Sequence, residues 1–425
     1  MTNDKGRSAA YNPRMHDQPA ALRRISWLDL FPWLILFRTF RIAISPSLLA
    51  LAAVAVLLAP LGWRAGGSLF LTREQRADIG RVRIDRQVTI RQSLATHIPA
   101  AVQEYLPAAE SPILEAYVNL SEPVSRFFQH NLTLGESAYY AFGILWLIAL
   151  WAFPGAVITR RAVVQLATDS PPGILHLCPF AARRYLWYFL APLVPLLGLM
   201  LLVLPIAVLL GLPLRLSLEV GSVLAGVLWI FVALAGLVAL WLVGGLMFGW
   251  PLMWPTISAE RDGDVFEAFS RSFAYVYAKP LHYFFYVLVA AAFGALCWAV
   301  VESAAAIVEW FGFWALSWGA GGKRAEAFRA ATLLVARGQI SAPPGVRLDT
   351  FGPALASYVL LLIRAVAIAF RYTFFFSVAS AIYLLLRHDV DQKEMDEVHV
   401  EIDPRPAPTR AAELEPTPAA PGAAP

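Results

Sequence analysis

Long apolar runs broken by short polar stretches set the pattern of this chain. A helix needs about 20 largely apolar residues to cross ~30 Å of hydrocarbon. Six segments meet that requirement: 44–63, 138–158, 185–211, 220–246, 281–301 and 354–386. The pattern predicts an all-α polytopic transmembrane helix bundle, with about six spanning helices plus interfacial amphipathic helices. Pro192, Pro195 and Pro205 predict a kink or break in the third run. The apolar tail 247–255 after the fourth run reads equally as a continuation, a re-entrant turn or an interfacial stretch. The fifth run has its own apolar sequel at 302–318, where Trp310, Trp314 and Trp318 recur at helical spacing. Seven or eight crossings therefore stand as alternatives to six.

The flanks divide the rest. Residues 1–25 are polar and without periodicity, and are expected to form a disordered cytoplasmic N-terminus. Residues 26–43 are aromatic and apolar, interrupted by Pro32 and Arg38. Ser26 and Asp29 resemble a capping box, so this stretch reads as an interfacial helix or as an extension of the first span. The bundle occupies 44–387, with outer loops 64–137 and 314–353. Pro99–Phe128 has the scattered apolar residues of one or two amphipathic helices lying on the bilayer. The acidic, then Pro/Ala-rich tail 388–425 buries too little to offset its ordering entropy and should be disordered.

Composition narrows the class. Hydrophobic residues make up 58% of the 425 and charged residues only 15%, and the mean hydropathy is +0.59. Folding buries at most about three-quarters of a chain's surface, so a soluble fold cannot hide this much apolar area. The net charge of +4 is too small to imply nucleic acid as a partner. The seven Lys/Arg before the first span and the four in the 159–184 loop place both termini in the cytoplasm under the positive-inside rule. The five Lys/Arg of the 314–353 loop argue the other way. The 30 Arg against 4 Lys, with abundant Ala, Leu and Pro, suggest a bacterial inner membrane protein. Cys178, read as lying in a loop, and Cys297, in an apolar run, are expected to be packing residues.

The stretch Trp254-Pro-Thr-Ile-Ser-Ala-Glu-Arg-Asp-Gly-Asp-Val-Phe-Glu-Ala-Phe-Ser-Arg-Ser-Phe resembles the membrane domain associated with glycerophosphodiester phosphodiesterases. The entry Phe37-Arg-x-Phe-Arg-x-Ala-x-Ser-Pro46 is similar to that of uncharacterised planctomycete membrane proteins. Together the two cover about a tenth of the chain. The resemblance implies a membrane module without lipid hydrolysis, because no catalytic domain follows. Read from its residues alone, this stretch is an amphipathic elbow. Asp264 caps a helix with Glu267 as box partner, Phe266, Phe269, Phe273 and Tyr277 share a face, and Glu267 and Arg271 form an i,i+4 pair. Anchoring the turn between spans is favoured over contact with a lipid headgroup or partner.

The chemistry-bearing candidates are charges inside the apolar runs: Glu302 and Glu309 in the fifth region, Arg364 and Arg371 in the sixth. A lone Arg at the bilayer centre costs about 2.5–3.5 kcal/mol on insertion scales, so both arginines should face the bundle interior, or one should snorkel. Counting 1.5 Å per residue from Leu281 and Leu386 pairs Glu302 with Arg364 and leaves Arg371 with no acid at its level. A buried ion pair fixing two helices is favoured over a polar pathway. Ala291, Ala295, Ala299 and Ser303 form a small-residue stripe suited to close packing, and Gly245 with Gly249 form an isolated pair.

No HExxH, GxSxG or Walker lysine occurs, and the seven histidines are scattered. The expectation is a non-enzymatic scaffold, accessory or lipid-interacting membrane protein without cofactor or metal. Its expected partners are membrane lipids, with other membrane proteins or a second copy also in view. The alternative is a transporter or permease-like protein using the Arg/Glu set.

Overall fold

The computed structural model describes residues 30–77, 79, 111–129, 132–261, 263–336, 348–395 and 397–398. Residues 1–25 and 26–29, the 99–110 part of the first outer loop, 337–347 of the second and the tail beyond 398 lie outside them. Among the described residues the fold is all-α. In chain order the helices are α1 (Ile35–Ala43), α2 (Pro46–Phe70), α3 (Pro112–Phe127), α4 (Leu134–Thr168), α5 (Ile174–Arg183) and α6 (Tyr185–Leu190). They continue with α7 (Leu193–Leu216), α8 (Leu218–Ala259), α9 (Val265–Ala278), α10 (Pro280–Ala320), α11 (Gly322–Ala336) and α12 (Leu348–Asp391). Six segments are long and apolar enough to cross a membrane: α2, α4, α6 with α7, α8, α10 and α12. The expected six-span helical bundle is what folds.

Most helices overrun their apolar runs, although α2 starts inside its run at Pro46, and the two apolar tails take the continuation alternative. α8 continues through 247–259 and α10 through 302–320. At 1.5 Å per residue both extend about 60 Å, twice the hydrocarbon thickness. The interval between the third and fourth apolar runs shrinks to Ser217, whose hydroxyl accepts from the Val220 amide at 3.4 Å. Gly221 permits this tight reversal, because a Cβ there would fall 2.6 Å from the Leu214 backbone. The 159–184 loop is helical over most of its length, so Arg160 and Arg161 lie on α4 and Cys178 on α5 rather than in a loop.

The described residues cluster into two compact units, one within 1–144 and 279–386, the other within 145–278 and 387–425. In the first, Ser45 ends α1 because a residue before proline avoids the helical region, and Pro46 opens α2 at its first position. The 26–43 stretch is therefore not an extension of the first span. Ile35, Leu36, Thr39 and Ile42 form the buried face of α1, and Phe37 and Phe40 meet Phe293 of α10 at 4.7 and 6.5 Å. Thr373 of α12 donates to the Ala43 carbonyl at 2.9 Å, closing the end of α1.

α3 does not match the expected helix lying on the bilayer. It packs along α10, with Pro112 and Phe374 at Gly294, where an added Cβ would crowd both. Gly294 lies fourteen residues into α10, so part of the segment between the first two spans packs against α10 well inside its length. The buried stripe of α10 is Ala290, Gly294, Cys297 and Trp298. Ala291, Ala295 and Ala299 are half-buried and Ser303 is exposed, so the expected alanine stripe is rotated off the packed face.

In the second unit α6 and α7 are separated at Ala191–Pro192, the break that the prolines predict. α7 and α8 pack as a hairpin whose side chains stay outward: Leu201 is 75% exposed and Val227 68%. The lower part of α8 is the reverse, with every residue from Pro251 to Ala259 buried. α9 is the elbow. Its Phe273 ring occupies the place a Cβ on Gly245 would take, and the Ser272 backbone lies against Gly249. The glycine pair thus serves packing inside the unit.

Candidate functional site

The first unit holds the intramembrane charges. Arg364 Nη2 donates to Glu309 Oε2 at 3.0 Å, and Arg371 is ion-paired with Glu115 of α3. The Arg371 guanidinium also lies over the Trp298 ring, 3.9 Å from its centroid. Its side chain is 12% exposed, against 63% for Arg364. These pairings correct the expected ones, in which Glu302 partners Arg364 and Arg371 has no acid.

The cause is the true helix end. α12 runs to Asp391 rather than Leu386, which moves each arginine further from the start of the count. Arg364 then comes level with Glu309, and Glu302 with Arg371. Arg371 nevertheless takes its partner from α3, which Pro112 and Gly294 bring alongside.

A cavity of about 210 Å³ opens between α10 and α12. Glu302, Glu309, Arg364 and Arg371 all line it, with Trp298, Ile363, Ile368 and the small side chains of Ala305, Ala306 and Ala367 completing the walls. All four sequence candidates thus meet in one space. Glu115, the residue that neutralises Arg371, is a functional neighbour that sequence reasoning missed. Its only local signal is Pro112 opening an amphipathic helix, and that signal does not say what the helix packs on. A second cavity of about 350 Å³ shares Ala306 and Glu309 with the first. It continues along α10 and α11 past Trp310, Phe313, Trp314 and Glu326.

The elbow candidates lie in the second unit. Asp264 accepts from the Glu267 amide at 2.7 Å, the expected cap, and Glu267 pairs with Arg271 at 2.8 Å. Phe273 is buried whereas Phe266 is 73% exposed, so the four aromatic residues do not act as one packed face. Arg271 also meets Glu260 at 3.4 Å and Asp391 at 3.2 Å. Glu260 in turn meets Arg387 Nε at 3.1 Å. The Tyr275 hydroxyl donates to Asp391 at 2.6 Å. Burial first, then that hydrogen bond, hold its phenol above the ordinary tyrosine range. Glu260, Tyr275, Arg387 and Asp391 escaped the sequence reading. The signal available was Arg387 and Asp391, four apart at a helix end.

Beneath the elbow runs a chain of hydroxyls. Ser258 Oγ lies 2.7 Å from both Thr159 Oγ1 and Tyr188 Oη, and Trp254 Nε1 donates to the Tyr188 carbonyl at 2.8 Å. Arg160 donates to the Ser258 carbonyl. Arg184 caps the end of α8 through the carbonyls of Ile257 and Arg261, at 3.1 and 2.6 Å. Both guanidinium groups flank the Phe180 ring, at 4.4 and 5.0 Å. This network satisfies the carbonyls that a helix end leaves open and fixes α8 to α4 and α6.

Among the described residues no group of three or more His, Cys, Asp or Glu could hold a metal ion. Cys178 and Cys297 are free thiols. No family model, curated protein or solved structure matches the chain.

Proposed function

We propose that this protein is a transporter or permease-like component of a bacterial cytoplasmic membrane, with a polar pathway between α10 and α12. The observation that carries the reading is the cavity reaching Arg371 inside two helices apolar enough to span the bilayer. Charges within spanning helices are costly and face interior or water-filled space, and a purely structural ion pair needs no open volume beside it. The elbow network, by contrast, fastens α9 and the end of α12 to α8. An even number of crossings returns the chain to its starting side, which supports the same side for both flanks, and the arginines before the first span favour the cytoplasm.

Membrane lipid is the direct partner on this reading, supported by the outward apolar side chains of the α7–α8 hairpin. The scaffold or lipid-interacting reading rests on one observation, the 63% exposure of Arg364, which would suit an anionic headgroup.

Thiol reactivity separates the two. In a background carrying Cys178→Ser and Cys297→Ala, the Ala306→Cys variant should react in intact membranes with a charged, impermeant methanethiosulfonate. The Val227→Cys variant on the lipid-facing hairpin should not, because a thiol in hydrocarbon forms no thiolate. Equal inertness at both positions contradicts a water-accessible pathway.

A further inference from the structure

The charges around the first cavity do not cancel. Arg364 is engaged by Glu309, and Arg371 by Glu115 and the Trp298 ring. Glu302 stands on the same wall, half-buried. Among the described residues it has neither an ion-pair nor a hydrogen-bond partner. The lining itself holds two carboxylates and two guanidinium groups; Glu115, which pairs with Arg371 from outside the lining, makes it three against two among the described residues. Arginine does not lose its proton in proteins, so the excess negative charge belongs to the site whenever Glu302 is ionised.

An entering anion would find both arginines already neutralised and Glu302 repelling it. An entering cation would find a carboxylate needing a partner, and complementarity of this kind selects one sign over the other.

The adjoining cavity adds no excess charge, since Arg329 lines it together with Glu326, but it adds aromatic chemistry. It shares Glu309 with the first, and Trp310, Phe313 and Trp314 line it together with Glu326. Trp310 and Trp314 stack at 5.6 Å. Glu326, like Glu302, has no ion-pair partner among the described residues. Arg329, 5.7 Å from the Phe313 centroid, already uses one of these rings to hold a cation. Aromatic faces attract organic cations strongly once these are desolvated, and tryptophan does so best. Small inorganic ions gain less there, because they would first have to shed tightly held water.

We infer that the solute accepted between α10 and α12 is an organic ammonium ion, with Glu302 as its counter-ion and the Trp310–Trp314 wall as its approach. The inference rests on the reading of these cavities as a pathway, and goes further in fixing the sign and class of what enters.

The test uses the full-length protein in nanodiscs and radiolabelled tetramethylammonium as probe. Saturable binding is expected, insensitive to equimolar sodium or phosphate. The Glu302→Gln variant should weaken it by about tenfold or more, as loss of a desolvated charge partner does, and Glu302→Asp should restore part of it. Trp310→Leu gives a second readout that leaves every ionic group in place, and should also weaken binding. Absence of saturable binding overturns the inference, as does binding unchanged in Glu302→Gln, or phosphate bound in place of the cation. If Ala306→Cys is reactive while tetramethylammonium does not bind, the pathway stands and the ammonium assignment falls. If Ala306→Cys is inert, both fall.

Discussion

The guanidinium of Arg371 and the carboxylate of Glu115 form an ion pair against the face of Trp298. One partner comes from a spanning helix and the other from the loop between the first two spans. The contact ties α3 to the spanning helix α12 within its unit. Removing one member of a largely buried pair leaves the other charge uncompensated and costs roughly 3 kcal/mol, the low end of the usual range because Glu115 is a third exposed. Glu115→Gln should therefore lower the thermal midpoint of the purified protein clearly. The double variant Glu115→Leu/Arg371→Met should recover most of the loss, since apolar replacement of both partners is close to neutral.

The pair Arg364–Glu309 behaves differently because Arg364 is mostly exposed. Exposed pairs contribute under about 1 kcal/mol, so Arg364→Gln should leave the midpoint almost unchanged. A charge swap identifies the partner. Arg364→Glu combined with Glu309→Arg should retain wild-type expression and folding, whereas Arg364→Glu combined with Glu302→Arg should not. Rescue by position 302 would restore the pairing expected from sequence and contradict the observed register.

In the second unit Glu260 accepts a hydrogen bond from Arg271 and is ion-paired with Arg387, and its side chain and that of Arg387 are only 10% and 5% exposed. Glu260→Gln should destabilise this junction by roughly 3–5 kcal/mol. The readout is faster proteolytic release of the segment after Arg387 under native conditions. Asp391→Asn should have a smaller effect, because Asp391 is 28% exposed and Tyr275 can still donate to the amide oxygen.

Two glycines of α8 give a paired steric test. Phe273 fills the space beside Gly245, whereas nothing approaches Gly226 within 4 Å. Gly245→Val should cost about 1–3 kcal/mol through overpacking and displace the elbow. Gly226→Val should leave the thermal midpoint within error.

The six crossings and the all-α class were legible because hydrocarbon imposes a length and a polarity that appear directly in the sequence. Helix ends were not, since apolar length marks where lipid stops and not where backbone hydrogen bonding stops. Leu386 ends an apolar run, but His388 and Asp391 continue the same helix. That five-residue overrun was enough to pair Arg364 with the wrong glutamate. The four intramembrane charges were legible as a set, because each is costly where it stands. Glu115 and Glu260 were not, because both lie in segments where an acid costs nothing until tertiary packing brings an arginine to it.

A cysteine scan along α12 measures whether water reaches the charged wall between α10 and α12. Leu362 and Val366 are 54% and 42% exposed, while Ala367 is 5% exposed but lines the cavity. In intact membranes an impermeant thiol reagent should label the Ala367→Cys variant and spare Leu362→Cys and Val366→Cys, which face lipid. Labelling that follows geometric exposure instead, strong at 362 and 366 and absent at 367, would contradict a polar pathway.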